Sequence, residues 1–325
     1  MTYAIQILRN GGPEVLQIVD FDPGDPGPGE IRIAQHAIGL NYIDTYMRSG
    51  LYPGELPAIL GVEGAGVVVA VGEGVDHLVA GDRVAYCQGV GAYASERLHN
   101  ASQVVKLPNS VGFDDAAALM LQGLTVWYLL KRSYAVDTGD QVLWHAAAGG
   151  VGLLACQWAA HLGVNLIGTA SSEQKCDLAM SYGASHMINY RTADFVQETL
   201  KITGGDKLPV VYDSVGKDTW EGSLNLIKPF GYMISFGNAS GAVPPIDIGI
   251  LNKKGAIYLQ RPSLFPYIDN PKSLNAAADE LFSLVGQKIL KPYIGQRIKL
   301  SQVRTAHELL EARATIGATI LTLDP

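Results

Sequence analysis

Residues 145–152 read His-Ala-Ala-Ala-Gly-Gly-Val-Gly, a spacing typical of a turn that binds a pyrophosphate group. An apolar run precedes this segment, and a helix-forming run follows it. A strand, a glycine turn and a helix in this order place an anion at a helix N-terminus, where backbone N–H groups and the helix dipole favour negative charge. Gly149 and Gly152 match the second and third glycines of the dinucleotide fingerprint, and Ala147 stands at the first position. The segment therefore predicts a dinucleotide site with contacts from Ala148, Gly149, Gly150 and Val151.

The end of the next predicted strand indicates which dinucleotide is bound. NAD is usually held there by a carboxylate on its ribose, but this strand ends at Thr169 and is followed by small residues that include Ser171. Lys175 follows one helical turn later, and Tyr190 closes the next strand. A phosphate needs hydroxyl donors and a cation and is repelled by a carboxylate, so we expect NADPH, bound by Thr169, Ser171, Lys175 and Tyr190. Lys175 as a solvated helix residue and Glu173 turned toward the ribose are the alternatives.

Two later strands also end in glycines and small polar residues. One reads Asp-Ser-Val-Gly at 213–216, and the other reads Ser-Phe-Gly-Asn at 235–238. Ligands of such sheets bind at the carboxyl ends of the strands. These ends therefore predict walls of a nicotinamide pocket, formed by Ser214, Phe236, Gly237 and Asn238. A core position for Phe236 is the alternative.

The elements that would position these residues fall into two patterns. Residues 1–120 show short alternating runs separated by glycine and proline turns, which predicts a small, mainly β, barrel-like domain. From residue 141 to about 260, apolar strands alternate with helices, which predicts a doubly wound parallel sheet. Strands are expected at 142–145, 165–169, 210–213 and 232–236, and helices at 150–162, 173–182, 219–226, 274–285 and 306–313. We expect the remaining tail, with a last strand at 318–322, to return to the first domain.

Composition narrows the functional classes. The chain of 325 residues carries a formal charge of −7, which argues against a nucleic-acid or anionic membrane surface. No apolar run reaches the ~20 residues of a membrane-spanning helix. The 3 cysteines and 7 histidines show neither disulfide nor metal-ligand spacing, and His145 is interpreted as a packing residue at a strand end. We therefore expect a soluble, cytoplasmic protein with no metal.

Several segments together resemble the medium-chain dehydrogenase/reductase superfamily over the full length of the chain. They are Gly-Gly-Pro-Glu-Val-Leu at 11–16, Asn-Tyr-Ile-Asp at 41–44, Gly-Val-Glu-Gly-Ala-Gly at 61–66 and Gly-Asp-Arg-Val at 81–84. The last segment is 139–152, which runs from Gly-Asp-Gln-Val-Leu into the glycine turn. The resemblance is greatest to the zinc-free quinone oxidoreductases related to zeta-crystallin. Zinc-dependent members have Cys at Asn41, His at Val62 and another Cys or His near Leu121. Asn and Val cannot supply the thiolate and imidazole of a tetrahedral zinc site.

The resemblance implies an α/β protein in which a Rossmann domain, 125–261, is inserted after a mainly β GroES-like catalytic domain, 1–124 plus 262–325. Without a metal, the substrate should be an acceptor that takes up hydride readily, such as a quinone. The implied catalytic residues are Asn41, Asp44, Tyr46 and Tyr52, since a tyrosine can stack on a quinone and donate to its oxygen. Ordinary packing is the alternative for both tyrosines.

Further contacts to NADPH are implied by the same resemblance. They come from Asn41, Asp44, Thr125, Tyr128, Arg261, Ser263 and Arg313. The strand at 256–261 should form an exposed edge through which a homodimer assembles. The predicted function is metal-independent reduction of quinones by NADPH. An NADPH-dependent alkenal or enone reductase and a non-catalytic NADPH-binding or RNA-binding, crystallin-like protein are the alternatives.

Overall fold

A computed structural model describes residues 2–324, which form two compact units. Unit 1 comprises the chain up to Leu124 and again from Phe265, and unit 2 comprises Thr125–Leu264. The second break thus lies at 264/265, whereas the sequence placed it at 261/262. Among residues 2–324, no helix has the length and apolar character needed to cross a membrane.

Unit 1 is built mainly from short strands. A three-stranded sheet has the order β2-β1-β4, and a larger sheet has the order β15-β16-β3-β5-β6-β8, with β7 also paired to β3. The strands are β1 Tyr3–Ile7, β2 Gln17–Asp20, β3 Glu30–Leu40, β4 Ala58–Ile59, β5 Glu63–Val71, β6 Arg83–Tyr86, β7 Glu96–Asn100, β8 Val105–Lys106, β15 Ile294–Lys299 and β16 Ala318–Thr322. Strand β16 pairs antiparallel with β3, so the last strand of the chain completes the sheet of the first domain.

Among residues 2–324, four α-helices lie in unit 1, and a fifth leads from it into unit 2. They are α1 Tyr42–Ser49, α2 Phe113–Ala117, α9 Pro271–Gly286 and α10 Val303–Glu311, with α3 Met120–Tyr128 as the fifth. Alternate residues of β3 point into the core, among them Ile31 and Ile33, because side chains of a strand alternate between the two faces of a sheet. The helix expected at 306–313 instead ends at Glu311, and Arg313 lies in a left-handed turn with φ of 57°.

Unit 2 is a parallel sheet in the order β11-β10-β9-β12-β13-β14. Its strands are β9 Gln141–Trp144, β10 Asn165–Ala170, β11 His186–Asn189, β12 Leu208–Asp213, β13 Ile227–Ser235 and β14 Tyr258–Gln260. The helices are α4 Gly150–His161, α5 Glu173–Ser181, α6 Phe195–Ile202, α7 Trp220–Leu226 and α8 Gly249–Lys253. The order runs outward in both directions from β9, which is the doubly wound arrangement that the alternating pattern predicted. Strand β13 starts at Ile227 instead of the expected position 232 and ends at Ser235, before Phe236.

Candidate active site

The glycine turn after β9 forms a helix N-terminus that is open to an anion. Helix α4 has Gly149 as its N-cap, and no side chain of the described residues caps it. The first N–H groups of a helix have no partner within the helix. The left-handed residue of the turn is Ala146, with φ of 57°, one residue before the position assigned to the first glycine. A Cβ on Gly152 would lie 2.5 Å from the Ala146 oxygen, so Gly152 permits the close approach of helix and turn.

The end of β10 combines hydroxyl groups with cations. Ser172 caps helix α5 by accepting from the Lys175 N–H at 3.3 Å. Burial and the nearby charge of Arg191 both lower the pKa of Lys175, so the two cations lie close enough to interact. The Glu173 carboxylate accepts from Asn189 Nδ2 at 2.7 Å. This strand end therefore suits a phosphate, because it combines hydroxyl groups with two cations and the Glu173 carboxylate is already hydrogen-bonded to an amide.

Three further residues were expected to bind the cofactor at this strand end, namely Thr169, Ser171 and Tyr190. Thr169 is buried, and its hydroxyl lies 3.0 Å from His145 Nδ1. Tyr190 follows β11 with its ring partly exposed, and its N–H donates to the Ala170 oxygen at 3.0 Å. Ser171 lies half-buried directly after β10. The hydroxyl of Thr169 thus makes an internal hydrogen bond, and no local sequence pattern predicted that contact.

The ends of β12 and β13 lie side by side. A Cβ on Gly237 would lie 2.4 Å from the Ser214 oxygen, so the two loops approach as closely as a glycine allows. Phe236 packs its ring on Trp144 with centroids 5.5 Å apart. Arg261 Nη1 donates to the Ser235 oxygen at 2.7 Å. With the Asn238 amide oriented so that both of its polar atoms have partners, Arg261 Nη2 also donates to the Asn238 amide oxygen at 3.0 Å. Arg261 therefore ties the end of β14 to the loop after β13.

Four further residues that the resemblance assigned to the cofactor are distributed over both units. Tyr128 is buried near the end of α3, and Thr125 is half-buried one turn before it. Ser263 is exposed after β14, near the end of unit 2. Arg313 belongs to unit 1 and follows α10.

In unit 1, Asn41 lies at the centre of a buried hydrogen-bond network. Its N–H donates to Asp44 Oδ2 at 2.9 Å, which forms the capping box at the start of α1. Its side-chain Nδ2 donates to Glu63 Oε2 at 2.7 Å, and its Oδ1 accepts from Gln122 Nε2 at 3.3 Å. The Leu121 N–H donates to Glu63 Oε1 at 2.7 Å. Where zinc-dependent members place ligands, this chain thus has an amide and a backbone N–H that both bond to Glu63.

Two fully buried carboxyl groups flank Asn41. Burial raises the pKa of Asp44 to about 7, against hydrogen bonds from Asn41 and from the Tyr93 hydroxyl at 2.9 Å. Burial raises the pKa of Glu63 to about 8, against hydrogen bonds from Asn41 and the Leu121 N–H and with a smaller contribution from the charge of nearby Asp44. Carboxyl groups that titrate near neutrality can hold and release a proton at working pH. The sequence had marked Glu63 only as part of a motif; its place in an apolar segment was the signal for burial.

The two predicted substrate tyrosines lie together. The rings of Tyr46 and Tyr52 have centroids 5.2 Å apart and are tilted by 58°. Tyr46 is buried, whereas Tyr52 lines a cavity of about 550 Å³ in unit 1, together with Met47, Pro53 and Leu56. A cavity of this size is in the range of small-molecule sites. Among residues 2–324, no cluster of three or more His, Cys, Asp or Glu side chains is arranged to hold a metal.

Comparison with known proteins identifies the family. Residues 27–109 match the alcohol dehydrogenase GroES-like domain, and residues 150–264 match the zinc-binding dehydrogenase family. Quinone oxidoreductase 1 of Escherichia coli K12 is 51% identical over 327 residues, which cover 99% of each chain. A 2-haloacrylate reductase of a Burkholderia species is 40% identical over 332 residues, again covering 99% of each chain.

The solved structures agree with this likeness. The structure of E. coli quinone oxidoreductase complexed with NADPH superposes with a TM-score of 0.97 at 50% identity, covering 99% of this chain and 100% of that chain. Both the predicted fold class and the predicted family are thereby confirmed. The chain belongs to the quinone oxidoreductase branch of the medium-chain dehydrogenase/reductase superfamily.

Proposed function

We propose that this protein is an NADPH-dependent quinone oxidoreductase that works without a metal. The observation that carries the proposal is the full-length likeness, at 51% identity, to proteins named quinone oxidoreductases, one of which has been solved with NADPH. Metal-independent chemistry is supported by the donor set around Asn41, which is an amide hydrogen-bonded to Glu63 in place of a thiolate and an imidazole.

Unit 2 has the features that NADPH needs. The uncapped N-terminus of α4 can accept the pyrophosphate, with Ala148, Gly149, Gly150 and Val151 in the turn. Ser171 and Lys175 can hold the 2′-phosphate, and Arg191 adds positive charge beside them. The loops at Ser214 and at Phe236–Asn238 end the neighbouring strands, where ligands of such sheets bind. NADPH supplies a hydride when it is bound.

Unit 1 supplies the residues assigned to the substrate. Tyr46 and Tyr52 offer aromatic faces, and the cavity beside Tyr52 can accept an apolar ligand. A quinone that takes up a hydride becomes a hydroquinone anion and then needs one proton. We assign the storage of that proton to Asp44 and Glu63, because their raised pKa values leave a proton on the pair near neutral pH.

Steady-state oxidation of NADPH by 1,4-benzoquinone tests the proposal, with NADH and a simple enone in parallel and a chelator present. Rapid turnover that prefers NADPH and survives the chelator is the expected result. Loss of activity with the chelator would refute metal-independent turnover. Equal rates with NADH and NADPH would refute the preference for NADPH. Tight NADPH binding without turnover of any acceptor would instead favour the non-catalytic alternative.

A second candidate function is the reduction of an activated carbon–carbon double bond. It is favoured by the 40% identity to a 2-haloacrylate reductase over 99% of both chains. A conjugated acid or ketone accepts hydride at carbon and, like a quinone, spreads the developing charge onto oxygen. The ratio of kcat/KM for benzoquinone to that for an enone and a 2-haloacrylate separates the candidates, and a ratio below one would favour this second function.

We further propose that the protein is a cytoplasmic homodimer that pairs through β14. Strand β14 lies at one edge of the unit 2 sheet, and Tyr258 and Leu259 on it are 53% and 37% exposed. An exposed sheet edge with large apolar side chains readily pairs with a second copy.

A further inference from the structure

A chain of buried hydrogen bonds crosses the carboxyl edge of the unit 2 sheet. Asp213 Oδ2 lies 2.9 Å from Ser223 Oγ, and Ser223 Oγ lies 2.9 Å from His145 Nε2. On the other side of its ring, His145 Nδ1 lies 3.0 Å from the Thr169 hydroxyl. All four residues are at most 1% exposed.

The partners fix where each proton in the chain lies. Asp213 also accepts from the N–H groups of Val215 and Gly216 and from the Thr219 hydroxyl, so it is a carboxylate that accepts throughout. The Ser223 hydroxyl therefore donates to Asp213 and must accept from His145 Nε2–H. The other ring nitrogen, Nδ1, is then an acceptor, and the Thr169 hydroxyl donates to it. Burial lowers the pKa of His145, against the charge of nearby Asp213, and this direction favours the neutral ring.

These hydrogen bonds join three strand ends. Asp213 is the last residue of β12, and it holds the loop that begins at Ser214. His145 directly follows β9 and precedes the glycine turn, and Thr169 lies at the end of β10, just before the predicted 2′-phosphate contacts. A backbone bond from the Ala147 N–H to the Thr169 oxygen, 3.0 Å long, strengthens the last link.

We propose that His145 is a positioning residue for the cofactor, which fixes the three strand-end loops relative to one another through Ser223 and Thr169. This inference rests on the proposed binding of NADPH by unit 2. Four buried polar groups stabilise the fold only while every member is paired, and apolar side chains could fill the same space without that requirement. A fully paired chain does restrict the loops to one arrangement, so less ordering remains when the cofactor binds.

The test removes one link without changing the shape of the core. Ser223→Ala leaves His145 Nε2–H without its acceptor, and we expect it to weaken NADPH binding about 10-fold, as measured by the dissociation constant from fluorescence titration. The KM for NADPH should rise by a similar factor, whereas kcat at saturating NADPH and the KM for benzoquinone should stay unchanged. Thr199→Val is the matched control, because its buried hydroxyl on α6 has no partner among residues 2–324.

Two outcomes would overturn the inference. If Ser223→Ala lowered the Tm but left the NADPH dissociation constant unchanged, the hydrogen bonds from Asp213 to Thr169 would contribute to stability alone. Nitrogen-15 NMR of the wild type tests the arrangement without any variant: the signals that disappear in His145→Gln should show the Nε2–H tautomer, and an Nδ1–H tautomer would refute the proton order. Failure of the proposed function is seen separately, as wild-type protein that binds no NADPH or turns over no acceptor.

Discussion

Replacing Lys175 by Met should weaken the binding of NADPH while leaving NADH unaffected. The substitution removes the charge at the end of β10 but keeps most of the aliphatic side chain, which is half-buried. NADPH and NADH differ only in the 2′-phosphate. A difference between their responses therefore reports the contact to that phosphate and not a general loosening of helix α5.

The surroundings of Lys175 determine the expected change in the NADPH dissociation constant and in the Tm of the variant. A hydrogen bond to a charged group contributes about 1.5–3 kcal/mol, which corresponds to roughly 10- to 150-fold in the dissociation constant. The lower end is expected, because Arg191 remains beside the site and continues to attract the phosphate. Removing Lys175 also relieves its repulsion with Arg191, so the Tm of the variant without cofactor should not fall.

Titration of intrinsic fluorescence with each cofactor measures the effect. Lys201→Met is the matched control, since Lys201 is exposed on α6 in a surface ion pair with Glu198, which contributes little. Equal weakening of NADPH and NADH by Lys175→Met would refute the phosphate assignment. Unchanged binding of both would leave Lys175 as the solvated helix residue of the alternative interpretation.

The remaining predictions concern titration, packing and assembly. First, quinone turnover at saturating NADPH should fall as the pH rises through 7 to 8, because the carboxyl pair then loses its stored proton; a flat profile of kcat would contradict this assignment. Second, a carboxyl whose folded pKa is raised stabilises the fold below its unfolded pKa and loses that contribution as the pH rises through the folded value. The Tm should therefore fall as the pH rises toward about 8 and level off above it, where Glu63 is ionised in the folded state as well, and Glu63→Gln should reduce that fall in scanning calorimetry. Third, Gly152→Ala should cost about 1–3 kcal/mol in urea unfolding, because the new Cβ meets a backbone oxygen; Gly286→Ala, where a Cβ meets nothing within 4 Å, should be neutral or stabilising. Fourth, Leu259→Lys should convert the proposed dimer to a monomer in light scattering, and an unchanged mass would exclude β14 as the interface.

Local sequence determined the units of structure that carry the nucleotide site. The run of apolar residues at 141–144, the glycines after it and the helix-forming run beyond it are each short-range signals, and β9 and α4 formed where these signals lie. The absence of a carboxylate at the end of β10 is equally local. The edge strand at 256–261 was implied by the family resemblance and not by the local pattern, whose last predicted strand was 232–236; the structure places β14 at one edge of the sheet.

Only the tertiary structure decided the surroundings of the polar side chains. Asn41 meets Glu63 and Gln122, which are 22 and 81 residues away along the chain, and His145 meets Ser223, which is 78 residues away. No periodicity or spacing encodes such partners, because they are set by how strands pair and how helices pack on them. Burial then changes the properties of these side chains. It raises the pKa of Glu63, and the buried hydroxyl of Thr169 is hydrogen-bonded to His145. At a surface, both would be ordinary solvated polar groups.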